Sequence, residues 1–405
     1  MVCVSREAWV TGCGIVSALG AGYGAHWAAL DAAGDCTRFL DSVGFAPFHV
    51  HPIVDLDLDR YIPRKGDQRA MGPLMHYGVC AAGMALESAG VAGDRALLER
   101  MALFAASGGG ERDLALDEQI LALLEASPDP DATLNEQLAN GLRPTLFLAQ
   151  LPNLFAGNIS IVHGVTGSSR TFMGEEAAGF DAVRIAFERL RAGQADLFLV
   201  GAAFNASRWD MLIIYQPAGL LLSGPFRGLW RRPQGGLCLG SVGAFLVLES
   251  RASAEQRGAV PLARLAAVHA GRCRRGPGAA ARNAGGLWDR IRPLVRSSAL
   301  AVMCGACGVG NITAEEREFL TRISAAGPTL AVRGTAAAIG HSLEASFPAN
   351  LALAVCCLRH RAVFPPLAPD EPLENQPVPA TMDQVLVTGF GHQWGEALAL
   401  VESVD

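Results

Sequence analysis

The sequence predicts an α/β protein built of stacked layers, and three observations carry that expectation. Short strand-like runs alternate with helical runs along the chain. A strand–helix–strand module occupies the middle, and its helix carries one apolar stripe. Half of the 405 residues are apolar, enough for a large core and for two domains or one duplicated one.

Taken in order, Ala8-Trp9-Val10-Thr11-Gly12 reads as a first strand ending in a glycine turn. Residues 68–89 place Met71, Leu74, Met75, Val79, Ala82 and Ala85 at helical spacing, which predicts a buried helix ending near Gly90. Asn158-Ile159-Ser160-Ile161-Val162 reads as a strand, followed by a Gly/Ser-rich turn from Gly164 to Ser169. A helix is expected from about Glu176 to Ala192, with Phe180, Val183, Ala186, Phe187 and Leu190 on one stripe, and Gly193 stops it. Asp196 to Gly201 and Gly243 to Glu249 read as buried strands. The polar run 251–257 is the best junction, dividing the chain into residues 1–251 and 252–405.

The second half repeats the style without a close sequence repeat. Strands are expected at 261–268 and Ala299–Met303. Thr313-Ala314-Glu315-Glu316 reads as a capping box opening a helix to about Ser324. Leu351 to Leu358, with Cys356 and Cys357, reads as a buried helix, and Leu386 to Gly391 as a late strand and turn.

Net charge is −6 with both signs mixed along the chain, so nothing suggests a nucleic-acid partner. No run of about 18 uncharged apolar residues appears, so no membrane span is expected. The opening MVCVSREAWVTGCG lacks an export-signal layout, and the ten cysteines form no disulfide-like framework. Reduced thiols in a cytoplasmic protein are therefore expected. Cys304-x-x-Cys307 has no second half, and His49 and His51 beside Pro52 read as a surface loop, so neither a metal site nor a cofactor is expected.

Four segments carry a resemblance. Gly235 to Glu249 (GGLCLGSVGAFLVLE) is similar, without a gap, to the block D-G-F-V-L-G-E-G-A-G-V-L-V-L-E of the β-ketoacyl-ACP synthases, members of the thiolase superfamily. Pro225-Phe226 resembles the start of their P-F-D, with Arg227 in place of the acid. Ile339-Gly340-His341-Ser342-Leu343 resembles their second histidine motif, and Gly389-Phe390-Gly391 their C-terminal gate. The resemblance covers nearly the whole chain. It implies a thiolase-like five-layer αβαβα fold of two similar halves, a dimer, and substrates carried on acyl carrier protein.

Condensation in that family needs a thiolate at the start of a buried helix, where the helix terminus stabilises the anion. Two histidines polarise the malonyl thioester and stabilise the enolate left by loss of CO2, and a lysine supports them. Alignment from His163-Gly164 forward, and from Gly193 back, places Glu176 on the cysteine, so that T-A-C has become Gly174-Glu175-Glu176. The first histidine falls on Gly305 and the lysine on Ala336. Among these catalytic positions His341 alone is kept, and a purely structural role for it stays open. Phe390 is a candidate gate or a core residue. Takeover by Cys304 or Cys307, beside the lost histidine, lacks the helix-start setting.

The pattern resembles the chain-length factors, which keep the ketosynthase fold, lack the cysteine and pair with an active ketosynthase. A heterodimer with such a subunit is therefore expected, a homodimer being possible, in elongation of fatty acids or polyketides. Residues around 108–150 are the candidate tunnel lining, with Gly108 to Asp113, Leu146, Phe147 and Leu148 foremost. More narrowly, GERD, RPTLFLAQL and GNISIVHGVTGSSRTFMGEEAAG resemble alphaproteobacterial ketosynthase-like proteins of very-long-chain fatty acid synthesis. Two alternatives remain: a malonyl-ACP decarboxylase using His341, and a scaffold binding acidic carrier protein. The scaffold would use the clusters Arg227, Arg231, Arg232 and Arg272, Arg274, Arg275.

Overall fold

The computed structural model describes residues 6–32, 36–142, 148, 150–232, 235–378 and 381–404. Among them, ten strands lie on one hydrogen-bonded path. The first half supplies β1 (Ala8–Ser17), β2 (Ala102–Ala106), β3 (Ser169–Phe172), β4 (Leu197–Phe204) and β5 (Val242–Ser250). The second supplies β6 (Ala263–Gly271), β7 (Ala299–Met303), β8 (Thr329–Arg333), β9 (Gln384–Phe390) and β10 (Glu396–Glu402).

The two halves repeat one topology. The first runs β3-β2-β4-β5-β1 and the second β8-β7-β9-β10-β6. In each, the first two pairings are parallel and the last two antiparallel. The halves join where Ala8–Val10 of β1 pair antiparallel with Ala263–Leu265 of β6. The helix Arg251–Gln256 links them, with the Ser250 side chain capping its start.

Two helices fill the space between the half-sheets. Glu176–Arg191 and Ser346–His360 pack on each other and on strands of both halves. Every residue from Phe347 to Leu358 is buried, as a helix apolar on all sides requires. Outside lie Pro73–Ser88 and Pro152–His163 on one half, and Ala279–Ile291 and Gly310–Ala325 on the other. The layers are thus helix, sheet, helix, sheet, helix.

Several local expectations are overturned. Asn158–Val162 is not a strand but the end of the helix Pro152–His163. Its β-branched residues suggested extension, but Phe155, Ala156 and Ile159 share one buried face while Ile161 is exposed. Pro152 at its first turn and left-handed Gly164 (φ 76°) at its end bound it. Thr313 does not open the next helix, which begins at Gly310; it accepts from the Gly308 amide at 3.0 Å. Glu315 instead caps a neighbour, accepting from the amides of Gly278, Ala280 and Ala281 at the start of Ala279–Ile291. His49 and His51 are buried, and Val50–His51 pairs with Leu239–Gly240. The arginine clusters also divide: Arg232 turns inward to the carbonyls of Arg227 and Gly236, and Arg275 serves the site described next.

Candidate functional site

The site forms where the start of the helix Glu176–Arg191 meets two turns from the second half. After β3 the chain bends through Gly174 (φ 133°) and Glu175 (φ 55°). A non-glycine residue with that backbone costs ~1–3 kcal/mol, and the Tyr215 hydroxyl, donating to Glu175 Oε1 at 3.0 Å, helps hold it. Glu176 then enters the helix pointing inward, 1 % exposed. Its position in the first turn lets the helix terminus stabilise a negative charge.

His341 arrives on the turn after the short helix Ala336–Ile339. Its amide donates to the Cys238 carbonyl at 2.8 Å, and its carbonyl accepts from the Gly240 amide at 3.0 Å. The approach leaves no room for side chains: a Cβ on Gly240 would stand 1.8 Å from the Ile339 oxygen. The glycine-rich block around Gly240 thus exists to bring the His341 backbone this close.

The third member is His392, on the turn between β9 and β10. Arg275 pins this turn by donating to the carbonyls of Gly391 (2.6 Å) and Gln393 (2.8 Å) and by pairing with the buried Glu396. His392 is a residue that reading the motifs missed. It follows Gly389-Phe390-Gly391 directly, and that adjacency was the one available signal.

The three side chains converge on one oxygen. Glu176 Oε1 lies 2.7 Å from His341 Nε2 and 2.8 Å from His392 Nδ1, and accepts from the His392 amide at 3.2 Å. Burial opposes a charge on Glu176, but the charge and hydrogen bonds of His392 and His341 outweigh it and hold the carboxyl well below the usual range. Burial likewise opposes a proton on His392, and the Glu176 carboxylate reverses that and raises its pKa. Glu344, also buried, is pushed up to about 7 by burial, with the negative field of Glu176 adding to the effect.

The other sequence-derived positions lie as follows. A Cβ on Gly305 would fall 2.7 Å from both Gly389 Cα and the Thr388 oxygen, so backbone fills the space a side chain would need. The Gly305 amide donates to Glu316 Oε1 and Thr388 Oγ1, both at 3.0 Å. Ala336 is buried at the start of its helix and offers no charge. Phe390 is 1 % exposed and tilts against Phe319. Cys304 and Cys307 are buried, and burial pushes Cys307 up to about 12 and Cys304 well above its ordinary value, so neither supplies a thiolate. Within the 108–150 stretch, Glu111 is buried against Asn205 and the Leu74 amide, and Leu148 is exposed. Leu146 and Phe147 lie outside the described residues.

Among the described residues no helix is long and apolar enough to cross a membrane. A family profile for the β-ketoacyl synthase N-terminal domain matches residues 5–254. The chain is 25 % identical over 270 residues to 3-oxoacyl-[acyl-carrier-protein] synthase 2 of Vibrio cholerae, a match covering 63 % of this chain and 60 % of that protein. It is 25 % identical over 423 aligned positions to the oxytetracycline polyketide putative beta-ketoacyl synthase 1 of Streptomyces rimosus, covering 96 % and 95 %. Among solved structures, the ishigamide ketosynthase/chain length factor superposes with a TM-score of 0.79 at 22 % identity, covering 99 % of this chain and 100 % of the other. One chain of the solved complex of a type II PKS acyl-carrier protein with its ketosynthase superposes at 0.73 and 17 % identity, covering 99 % of this chain and 100 % of that one.

Proposed function

The chain belongs to the β-ketoacyl synthase family, and we propose that within it the protein is a non-catalytic, chain-length-factor-like subunit of an active β-ketoacyl-ACP synthase. The observation that carries this reading is Glu176: buried at a helix start, ionised, with its Oε1 engaged by His341 and His392. A carboxylate so held is a poor acyl acceptor, because the product would be a reactive anhydride. The closed backbone around Gly305 and the apolar Ala336 remove two further groups that condensation uses.

Pairing is supported by the edge of the sheet. β3 ends the strand order of the first half, and the apolar Ile161 and Met173 near it are exposed. An open strand edge flanked by apolar side chains favours association with another chain. A pseudo-symmetric dimer with a related ketosynthase would use one ancestral interface twice. In this reading the partner performs the chemistry, and the present subunit shapes the acyl tunnel and so sets product length. The elongated substrate, carried on acyl carrier protein, is a fatty acid, the very-long-chain class included, or a polyketide. Arg227, Arg231, Arg272 and Arg274 remain exposed and suit an acidic carrier.

Malonyl-ACP decarboxylation is the second reading, favoured by two imidazoles at one site. Against it, the nitrogens His341 Nε2 and His392 Nδ1 both face Glu176, so the thioester oxygen would have to displace the carboxylate. Co-expression with a complete ketosynthase encoded nearby tests the leading reading. A stable one-to-one complex whose products differ in length from those of the ketosynthase alone supports it. A complex that never forms, or products of unchanged length, contradicts it.

A further inference from the structure

A carboxylate with two imidazoles in one buried cluster is also a ligand set. The three groups offer one oxygen and two nitrogens, all within 4.8 Å of one another. They come from three separate elements: a helix start, the turn at Gly340 and the turn pinned by Arg275. We propose that Glu176, His341 and His392 form a binding site for a divalent transition-metal ion, zinc foremost, with Glu175 and Ser346 orienting the two imidazoles.

The placement of protons supports this. If both imidazoles are neutral and donate to Glu176, their outer nitrogens carry no hydrogen. His392 Nε2 then sits buried without a hydrogen-bond partner among the described residues, and so does Glu176 Oε2. Such orphaned polar atoms are costly. A cation among the three groups reverses the tautomers, so that the inner nitrogens ligate and the outer ones carry the hydrogens. The outer groups are in place for that state. Glu175 Oε2 lies 3.8 Å from His392 Nε2, and Ser346 Oγ lies 3.4 Å from His341 Nδ1. A carboxylate, carbonyl or water oxygen behind each ligating histidine is the usual second layer of a zinc site, and here a carboxylate and a hydroxyl take that place. The free Glu176 Oε2 can join the coordination.

Imidazole and carboxylate ligands select zinc, cobalt, nickel or ferrous iron over magnesium or calcium, which prefer oxygen alone. The fit needs the carboxylate to move, and Glu175 Oε2 to close its 3.8 Å gap to His392 Nε2. Ligands about 2.1 Å from a tetrahedral ion stand roughly 3.4 Å apart, whereas Glu176 Oε1 is now 2.7 and 2.8 Å from the nitrogens. The carboxylate must therefore withdraw by roughly 0.6–0.7 Å, which its side-chain torsions allow.

The test uses the full-length chain, free of any histidine tag, stripped with a chelator and titrated with Co2+ and then Zn2+. We expect about one Co2+ per chain, visible bands of a tetrahedral nitrogen–oxygen site without thiolate charge transfer, and displacement by Zn2+. Glu176→Gln and His392→Ala should each weaken binding by roughly 100-fold, and Glu175→Gln by roughly 10-fold, with circular dichroism reporting the fold. If His392→Ala fails to fold, the isosteric Glu176→Gln decides. The proposal is overturned if stripped wild-type protein takes up no Co2+. It is equally overturned by a thiolate spectrum, or by binding that Glu176→Gln leaves unchanged; the cluster is then a hydrogen-bonded triad alone.

Discussion

In the proposed reading Glu176 takes the nucleophile's place, and a thiol introduced there should still give no condensation. Glu176→Cys leaves Ala336 uncharged and Gly305 closed in by the Thr388–Phe390 backbone. Adding Gly305→His does not complete the site, because its Cβ would meet backbone at 2.7 Å and overpacking there costs roughly 1–3 kcal/mol or more. Both variants should stay inactive in a condensation assay with acyl- and malonyl-ACP; turnover by either would show that the fold itself is competent. A second residue-scale prediction concerns Glu316. Burial pushes its carboxyl up to about 7 from an ordinary 4.5, against the opposing bonds from Thr388 and Gly305. The folded chain then keeps a proton that the unfolded chain releases near 4.5, so stability falls as pH rises between those values and is level above. The loss amounts to about 3 kcal/mol. Glu344 adds to the same slope, so Glu316→Gln should make it shallower without abolishing it in urea unfolding measured from about pH 5 to about pH 8; an unchanged slope would contradict the assignment. At this scale Glu176, Gly305, Ala336 and His341 could be singled out because motif spacing numbers them along the chain. His392 could not, since it stands 216 residues from Glu176 and only folding brings the two together.

Between residues and the whole lie the turns that aim these side chains. The turn carrying His392 is held by Arg275, whose partner Glu396 has a fully buried side chain. Arg275→Ala should leave that carboxylate without its cation, costing about 3 kcal/mol, and should loosen the Gly391–Gly395 turn. Denaturation with guanidinium checks the cost, and a loss within 0.5 kcal/mol, the usual scatter of surface substitutions, would show that the turn holds by other means. The helices were readable where the apolar stripe had a clear period, as in Glu176–Arg191. The reading failed at Asn158–Val162, where a short β-branched run satisfies strand preferences locally and the longer helical face from Pro152 outweighs them. It failed again at Thr313, whose motif fits a capping box although Glu315 caps a neighbouring helix distant in sequence.

The whole molecule is one strand pattern used twice, joined through β1 and β6 around two central helices. That repetition was legible only through the family resemblance, because the halves share pairing order and not residues, and strand order is set by contacts across long stretches of chain. What the sequence did carry was the glycine block near Gly240, whose spacing follows from backbone packed against backbone. At this scale the open edge at β3 yields a further prediction. Replacing Ile161 and Met173 together by Asp should abolish pairing with a ketosynthase and leave the isolated fold intact, since both side chains are exposed. Size-exclusion chromatography with light scattering checks it, and a complex that survives would place the interface elsewhere.

The central claim, a ketosynthase fold without chemistry of its own, is tested most directly by mass spectrometry of malonyl-ACP incubated with the purified full-length chain alone. The account predicts that malonyl-ACP stays unchanged while the protein remains folded. Formation of acetyl-ACP that disappears with His341→Ala would contradict it and establish a decarboxylase.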